Sequence, residues 1–234
     1  MVGATYVGVV AYGSNTTLTM DESVVEGTRL NPVGEDNPFG CGVGVYDGAQ
    51  VTARRVLIAD NAWAGIHADA PSVVPGAAPY LTVADSIVRG NRFNRSRVSG
   101  GGLQAQRAAL ARLVRVRVAG NEGRGVVAID GAGVDVTDST IEDTTPVSVV
   151  RPDGTRVAEA QNLRAEQGAT IAADGIRLRG GRGAIGALVA DTNTALFLRN
   201  AVAEGPDGDD FTAPIGCLVA ELGGRLAAEG VALR

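Results

Sequence analysis

The side chains in this sequence best suited to acid–base chemistry are a histidine and an aspartate two residues apart, His67 and Asp69. His67 is the one histidine of the chain. Because residues i and i+2 of a β-strand point to the same side, both would project from one face of a strand. An imidazole beside a carboxylate can act as a general acid or base. A lone surface histidine beside an aspartate is more often incidental, so the sequence leaves both interpretations open.

Two further polar pairs share this spacing, and with the first pair they define the candidate site. The candidate catalytic residues are His67, Asp69, Arg164 and Glu166. The candidate ligand-binding residues are Tyr46, His67, Asp69, Gln104, Gln106, Arg164 and Glu166.

An acidic loop near the end of the chain is a candidate calcium site. Asp207, Asp209 and Asp210 lie within four residues, and Ca²⁺ prefers carboxylate and other oxygen ligands. A solvated charged turn is the more common reason for such a cluster. Ca²⁺ is the one cofactor that the sequence suggests.

The elements that would position these side chains form a strand repeat. Its shortest intervals, from Ala111 to Val134 and from Ile171 to Ala195, span 23 and 24 residues. Repeats of about 20–50 residues are typical of solenoids and propellers. Eight apolar residues serve as equivalent anchors: Leu18, Val51, Leu81, Ala111, Val134, Ile171, Ala195 and Leu226.

Each coil of 23–24 residues plus loops is predicted to hold three short strands. Around Leu81, the first strand begins at Leu81, the second at Ser86 and the third at Leu103, each with apolar residues alternating toward one side. This pattern predicts an all-β, right-handed parallel β-helix of about eight coils, with the hand taken from the general preference of parallel crossovers. The predicted strands span residues 10–12, 18–20, 23–26, 43–46, 51–53, 56–59, 81–83, 86–89, 103–106, 113–114, 116–119, 126–129, 134–136, 139–142, 171–173, 187–190 and 195–198.

Asparagine recurs ten residues after successive anchors, at Asn61, Asn91 and Asn121, and most long loops precede the third strand. Three-strand coils, an Asn-marked corner and variable loops on one edge resemble the parallel β-helix of the pectate-lyase-like superfamily over the whole chain. The resemblance implies that substrate would lie along the outward residues of the third strands. Those outward pairs are Ala11 and Gly13, Gly44 and Tyr46, His67 and Asp69, Gln104 and Gln106, Val127 and Ile129, Arg164 and Glu166, Leu188 and Ala190, and Val219 and Glu221.

The catalytic signatures of that superfamily do not occur in the sequence. There is no lysine, so the Arg-Ile-Lys signature of the galacturonase-type hydrolases is missing, and His67 does not lie in a Gly-His-Gly. Calcium-dependent lyases need several converging carboxylates and a basic group, and Val127 and Ile129 interrupt the polar run. The best remaining constellation is His67, Asp69, Gln104 and Gln106, with Arg164 and Glu166 two coils further on.

Charge and composition argue against several functions. A net charge of −5 and a pI of about 5.0 disfavour a nucleic-acid partner. No stretch approaches the ~18–20 apolar residues of a membrane helix. All 21 basic residues are Arg, which we attribute to the codon bias of a GC-rich bacterium. Both ends fall within a repeat, so residues 1–234 are expected to form one β-helix domain of a longer polypeptide.

These observations favour a non-catalytic β-helical segment of a secreted or cell-surface bacterial protein, which presents loops to a polysaccharide, a surface glycan or a protein partner. One alternative is a polysaccharide-active enzyme (a lyase, hydrolase or epimerase) with its site on the third strands. Another is a structural stalk or passenger segment.

Two smaller patterns concern structure rather than chemistry. Residues 147–157 alternate around a Pro-Asp-Gly turn and predict a β-hairpin that projects from the coil. The position four residues after the anchors alternates in charge over five coils, which would fix the register of successive coils rather than form a catalytic pair. Its members are Glu22, Arg55, Asp85, Arg115, Asp138, Gly175 and Arg199.

The two cysteines are predicted to remain free thiols, at the start of a third strand and facing inward or into the loop base. Cys41 and Cys217 occupy nearly the same place in the second and the eighth coil, and six coil rises separate them by about 29 Å. A disulfide needs Cα atoms within about 7 Å. Thiol titration of the unfolded, unreduced monomer should count two thiols. A count of zero would mean that the coil alignment is wrong or that the segment 29–42 folds back along the axis.

Overall fold

The computed structural model describes residues 6–30, 40–70, 78–94, 99–150, 154–180, 185–204 and 218–233. Every regular element in these ranges is a β-strand, and they contain no helix long and apolar enough to cross a membrane. Eight successive coils each contribute one strand to each of three parallel sheets. The predicted right-handed parallel β-helix of about eight coils is confirmed.

The third-strand sheet carries most of the candidate site residues. Its strands pair in chain order as β1 (Tyr6–Tyr12), β4 (Gly40–Tyr46), β7 (Ala64–Asp69), β11 (Ser99–Gln106), β14 (Arg124–Ile129), β19 (Gln161–Glu166), β22 (Ile185–Ala190) and β25 (Leu218–Glu221). A short strand, β10 (Phe93–Asn94), pairs antiparallel with β11.

The other two sheets complete the triangular cross-section. The first-strand sheet holds the anchors and consists of β2 (Thr17–Asp21), β5 (Gln50–Arg54), β8 (Tyr80–Ala84), β12 (Leu110–Val114), β15 (Gly133–Thr137), β20 (Thr170–Asp174), β23 (Ala195–Arg199) and β26 (Arg225–Glu229). The second-strand sheet consists of β3 (Val24–Glu26), β6 (Leu57–Ala59), β9 (Ile87–Arg89), β13 (Arg117–Ala119), β16 (Thr140–Glu142), β21 (Arg177–Arg179), β24 (Val202–Glu204) and β27 (Ala232–Leu233). Every predicted strand overlaps an observed one.

The core is a stack of aliphatic side chains enclosed by the three sheets. At the anchor position, Val51, Leu81 and Ala111 lie in register on neighbouring strands and are at most 3% exposed. Because neighbouring coils are about 4.8 Å apart, each inward position forms a continuous column. Burying one Leu or Ile side chain contributes about 1.5–3 kcal/mol, so the aliphatic repeat itself stabilises the solenoid.

The predicted alignment of the seventh coil is wrong by one residue. Ile171 lies beside Leu196 rather than Ala195, so Leu196 and Leu198 point inward and Phe197 is 38% exposed. The cause is a turn of four residues, 191–194, between β22 and β23, where the preceding coil has three, 167–169. A shift of one residue moves every side chain of a strand to the opposite face.

The first coil shows the same error for the same reason. Its turn, residues 13–16, is again one residue longer than the turn at 47–49 in the next coil. Val9 rather than Val10 therefore lies beside Val43. The outward pair of this coil is Val10 and Tyr12, both more than half exposed, and Ala11 is buried, so the predicted outward pair of Ala11 and Gly13 is wrong.

The charged corner after each first strand has a left-handed backbone, with φ between 46° and 65°, at Glu22, Arg55, Asp85, Arg115, Asp138, Gly175, Asn200 and Gly230. The register shift of the seventh coil puts Asn200 here in place of the predicted Arg199. The Arg55 Nε lies 3.1 Å from Glu22 Oε1, and the Arg115 Nε lies 2.6 Å from Asp85 Oδ1. These exposed pairs contribute at most about 1 kcal/mol each and join neighbouring coils.

The asparagine column is a buried ladder of hydrogen bonds along the axis. Asn61 Nδ2 donates to Asn91 Oδ1 at 2.8 Å, and Asn91 Nδ2 donates to Asn121 Oδ1 at 2.9 Å. The backbone N–H groups of Asn61 and Asn91 donate to the same oxygens at 3.1 and 3.0 Å. All three side chains are at most 1% exposed. The hydrogen bonds of the ladder replace the bonds to water that these amides lose on folding.

A glycine column within the third strands makes room for this ladder. A Cβ at Gly65 would lie 2.7 Å from Asn91 Nδ2 and also 2.7 Å from the backbone oxygen of the next coil. After the fifth anchor, Val134, the two columns exchange roles. Thr144 takes the asparagine position, Asn162 takes the glycine position, and Thr144 Oγ1 lies 2.6 Å from Asn162 Oδ1.

The predicted hairpin at 147–157 is confirmed in outline. It consists of β17 (Val147–Val150) and β18 (Arg156–Glu159), which pair antiparallel, while its turn residues 151–153 lie outside the described part of the chain. Val147 and Val149 are 2% exposed and pack with Phe93. The hairpin therefore lies against the solenoid rather than projecting freely.

The ladder gives a direct test of the fold. We expect Asn91→Ala to lower the free energy of unfolding by about 2–4 kcal/mol, because it leaves the backbone N–H and the side-chain amide of Asn61 buried without their shared acceptor. Chemical denaturation measures the loss. Thr52→Ala, at a half-buried outward position of the first-strand sheet, is the control and should change stability by less than about 0.5 kcal/mol. Equal effects of the two substitutions would contradict the ladder.

Candidate functional site

The parallel register of the third-strand sheet brings four of the predicted residues into two adjacent coils. His67 pairs with Gln104, and Asp69 pairs with Gln106, on neighbouring strands β7 and β11. Tyr46 lies beside Asp69 on the other side, on β4. The alternation of each strand puts all five side chains on the outer face, as the sequence predicted.

A chain of hydrogen bonds joins the two glutamines to Asp69. Gln104 Nε2 donates to Gln106 Oε1 at 2.7 Å, and Gln106 Nε2 donates to Asp69 Oδ2 at 2.9 Å. Gln104 Oε1 in turn accepts from the backbone N–H of Gly100 at 3.0 Å. Both amides are therefore held in fixed orientations by groups of the chain itself.

The carboxylate of Asp69 is bound by a guanidinium that the sequence analysis did not single out. Arg107, in the turn directly after β11, donates from Nε to Asp69 Oδ1 at 2.7 Å and from Nη2 to Asp69 Oδ2. Asp69 is 3% exposed, whereas the Arg107 side chain is 45% exposed. This two-point contact pairs a guanidinium with the Asp69 carboxylate beside His67 and engages both of its oxygens.

His67 is enclosed by aromatic rings. It is 3% exposed, its ring centroid lies 4.5 Å from that of Trp63, and its Nδ1 lies 3.2 Å from Tyr46 Oη. In a neutral imidazole with its proton on Nε2, Nδ1 accepts a hydrogen bond from the Tyr46 hydroxyl at this distance. Nε2 lies 4.0 Å from Asp69 Oδ2 and has no hydrogen-bond partner among the described residues.

Burial makes His67 a weak base. It lowers the pKa of His67 from its usual 6.5 to about 4; the Asp69 charge opposes this shift, the Arg107 charge adds to it, and the nearby Gln106 amide opposes it. No hydrogen bond of good geometry joins Nε2 to the Gln106 amide among the described residues. The side chain is neutral at pH 7, and its approach to Asp69 is not an ion pair.

Cys41 lies at the edge of the same cluster, as a thiol. It is fully buried and packs with Trp63 and Ala64, and its Sγ is 3.9 Å from Tyr46 Oη. Burial raises the pKa of Cys41 to about 12, although the contact with Tyr46 opposes the shift. A protonated thiol is a poor nucleophile. The predicted free thiol at Cys41 is confirmed, and Cys217 lies outside the described residues.

Arg164 and Glu166 form a second cluster that does not meet the first. Arg164 Nη2 donates to Glu166 Oε2 at 2.7 Å. Val127 and Ile129, on the intervening strand β14, separate this pair from the glutamines of β11. Two coil rises put the clusters about 10 Å apart along the axis, so the six polar residues are not one constellation.

An arginine that the sequence did not single out, Arg124, links this second cluster to Phe93 and the hairpin. Arg124 is 3% exposed, its Nη1 lies 3.8 Å from Glu166 Oε1, and its guanidinium carbon lies 5.5 Å from the centre of the Phe93 ring. Val147 and Val149 of the hairpin pack on the same ring. Arg124 follows a loop and is the first residue of β14. No alternation of apolar and polar residues in the sequence therefore marks it as outward-facing.

The candidate calcium ligands Asp207, Asp209 and Asp210 lie outside the described residues. In the part of the chain that the structure describes, no group of three or more His, Cys, Asp or Glu side chains is placed to hold a metal ion. The calcium site therefore stays a prediction.

No known protein family's model matches this chain, and no curated protein matches it in sequence. Conclusions about function therefore depend on the geometry of its own side chains.

The single histidine allows a direct test of this cluster. We expect its imidazole resonances to titrate with a midpoint near 4, and to show almost no change in an NMR titration from about pH 8 to 5.5. An exposed imidazole titrates near 6.5, and a midpoint there would contradict the burial of His67.

Stability should respond to pH through the same group. Between about pH 6.5 and 4 the unfolded state binds more protons than the folded state, so the free energy of unfolding falls as the pH falls. Between pH 7 and 5, wild type should lose about 2 kcal/mol more than His67→Gln, which has no titrating group at this position. Equal losses would contradict the account.

Proposed function

We propose that this chain is a non-catalytic β-helical module of a secreted or cell-surface bacterial protein, which binds a glycan or a protein partner through its outer surface. The observation that carries the proposal is the state of the groups best suited to catalysis. His67 and Asp69 are both 3% exposed, and Arg107 and Gln106 occupy the Asp69 oxygens. A general base must reach a substrate proton within about 3 Å, which these buried groups do not do.

The second cluster supports the same proposal. The Glu166 carboxylate, whose side chain is 13% exposed, lies within 3 Å of the Arg164 guanidinium and near Arg124. Both oxygens of this carboxylate therefore already face a guanidinium of the chain itself. The two clusters therefore do not supply the free acid and base that lyases and hydrolases of polysaccharides use.

One observation favours the alternative of a polysaccharide-active enzyme. Nε2 of His67 has no hydrogen-bond partner among the described residues and lies 4.0 Å from an Asp69 oxygen, an arrangement in which a histidine can be oriented by a carboxylate. In such an enzyme, Asp69 would hold the imidazole and Tyr46 would contact its other nitrogen. Activity would then need the cluster to open toward the substrate.

The two proposals differ in a turnover experiment. We expect no product above background, by absorbance of unsaturated ends and by reducing ends, from polygalacturonate, alginate, xylan and galactomannan, with and without Ca²⁺. The physical reason is that neither a free base nor a free acid is exposed in the two clusters. The His67→Ala and Asp69→Ala variants should give the same background rate.

The control and the contradicting outcome use the same assays. Thr52→Ala, far from both clusters, shows the background of a folded variant. Turnover by wild type that persists in Thr52→Ala and falls by about tenfold or more in Asp69→Ala would establish the enzyme instead.

A further inference from the structure

A groove of about 390 Å³ lies on a different face of the solenoid, along the first-strand sheet. Its walls and floor include Arg112, Asp135, Ala172, Asp174, Phe197 and Arg199. This volume falls within the range of about 300–1,000 Å³ typical of small-molecule sites. None of the candidate catalytic or ligand-binding residues lies on this face.

The register of the strands explains the shape of the groove. Asp135, Ala172, Phe197 and Ala227 lie side by side on β15, β20, β23 and β26. The short side chains of the two alanines leave a depression on each side of the Phe197 ring, which is 38% exposed. Between Asp135 and Phe197 the depression spans two coil rises, about 9.6 Å, enough for one six-membered ring with its substituents.

The occupant must be recognised by side chains alone. Each of β15, β20 and β23 is paired on both edges, so the backbone of the groove has no row of unpaired N–H and C=O groups to which an extended peptide could add as a strand. What the groove offers is an aromatic ring beside charged groups that can donate or accept hydrogen bonds.

The charges of the groove alternate along the axis. Arg112 lies beside Asp135 on the next strand, and Arg199 lies between Asp174 and Glu229. Arg199 Nε is 3.9 Å from a Glu229 oxygen, and the Arg225 guanidinium carbon lies 5.7 Å from the centre of the Phe197 ring. A polyanion would meet carboxylates on alternate coils, and a polycation would meet guanidiniums. A neutral, hydroxyl-rich ligand finds donors and acceptors in turn.

We propose that this groove binds a neutral polysaccharide running along the solenoid axis, with one sugar ring over Ala172 and against Phe197. The inference rests on the proposed binding function and assigns it a site. The aromatic ring packs against the C–H face of the sugar, and Asp135, Asp174 and Arg199 bond its hydroxyls. Polar groups that recur about every 4.8 Å suit a ligand that itself repeats.

Affinity electrophoresis tests the proposal in gels that contain xylan, galactomannan, mixed-linkage glucan, polygalacturonate or alginate. Wild type should be retarded by at least one of the three neutral polymers. Phe197→Ala removes the ring, and Ala172→Leu fills the floor at an outward, half-buried position that leaves the core unchanged. Each should weaken retardation by about tenfold or more, as loss of a central aromatic anchor does.

Ile87→Ala is the matched control, since Ile87 is also 38% exposed but lies on the second-strand sheet. It should be retarded as wild type is. Retardation that both groove variants retain would overturn the assigned site while leaving glycan binding intact. Retardation by the anionic polymers alone, or by none of the five, would overturn the neutral-ligand inference. Turnover that depends on Asp69 would overturn the proposed function without bearing on the groove.

Discussion

The strands of the three parallel sheets lie in register on their counterparts in neighbouring coils, and the other features of the molecule depend on that constraint. Side chains at equivalent positions are about 4.8 Å apart, so any group at an inward position must match the groups above and below it. Aliphatic residues satisfy the constraint by packing, as Val51, Leu81 and Ala111 do. Polar residues satisfy it only by bonding along the axis, as Asn61, Asn91 and Asn121 do.

The same constraint explains why the best candidate for chemistry is a closed cluster. Parallel register places His67 and Asp69 beside two glutamines, and the amides and Arg107 then bond to the carboxylate. Burial leaves the imidazole neutral. The cluster joins two coils on the outside of the solenoid, much as the asparagine ladder joins them on the inside. On the first-strand sheet, by contrast, Phe197 and its charged neighbours remain accessible. We therefore propose that ligand binding takes place on that sheet.

The sequence was sufficient for the fold and for the strand partners of His67 and Asp69, because alternation and repeat length together determine which side chains share a column. It failed where a turn gained one residue. Ala195 and Leu196 are both apolar, so composition did not reveal that Leu196 is the anchor. That error also hid Phe197, which the alignment had placed inside. Arg107 lies in a turn, and Trp63 directly precedes a strand. At neither place does a periodic pattern in the sequence indicate the direction of the side chain.

His67 and Asp69 of the third-strand sheet are enclosed rather than presented to a substrate. Diethyl pyrocarbonate modification of the native protein tests this enclosure directly, because the chain has a single histidine and the modified peptide is identified by mass. The account predicts that His67 reacts only after unfolding, since its ring is 3% exposed. Modification of native His67 at the rate of a free imidazole would contradict the account. The third-strand sheet would then again be a candidate active site.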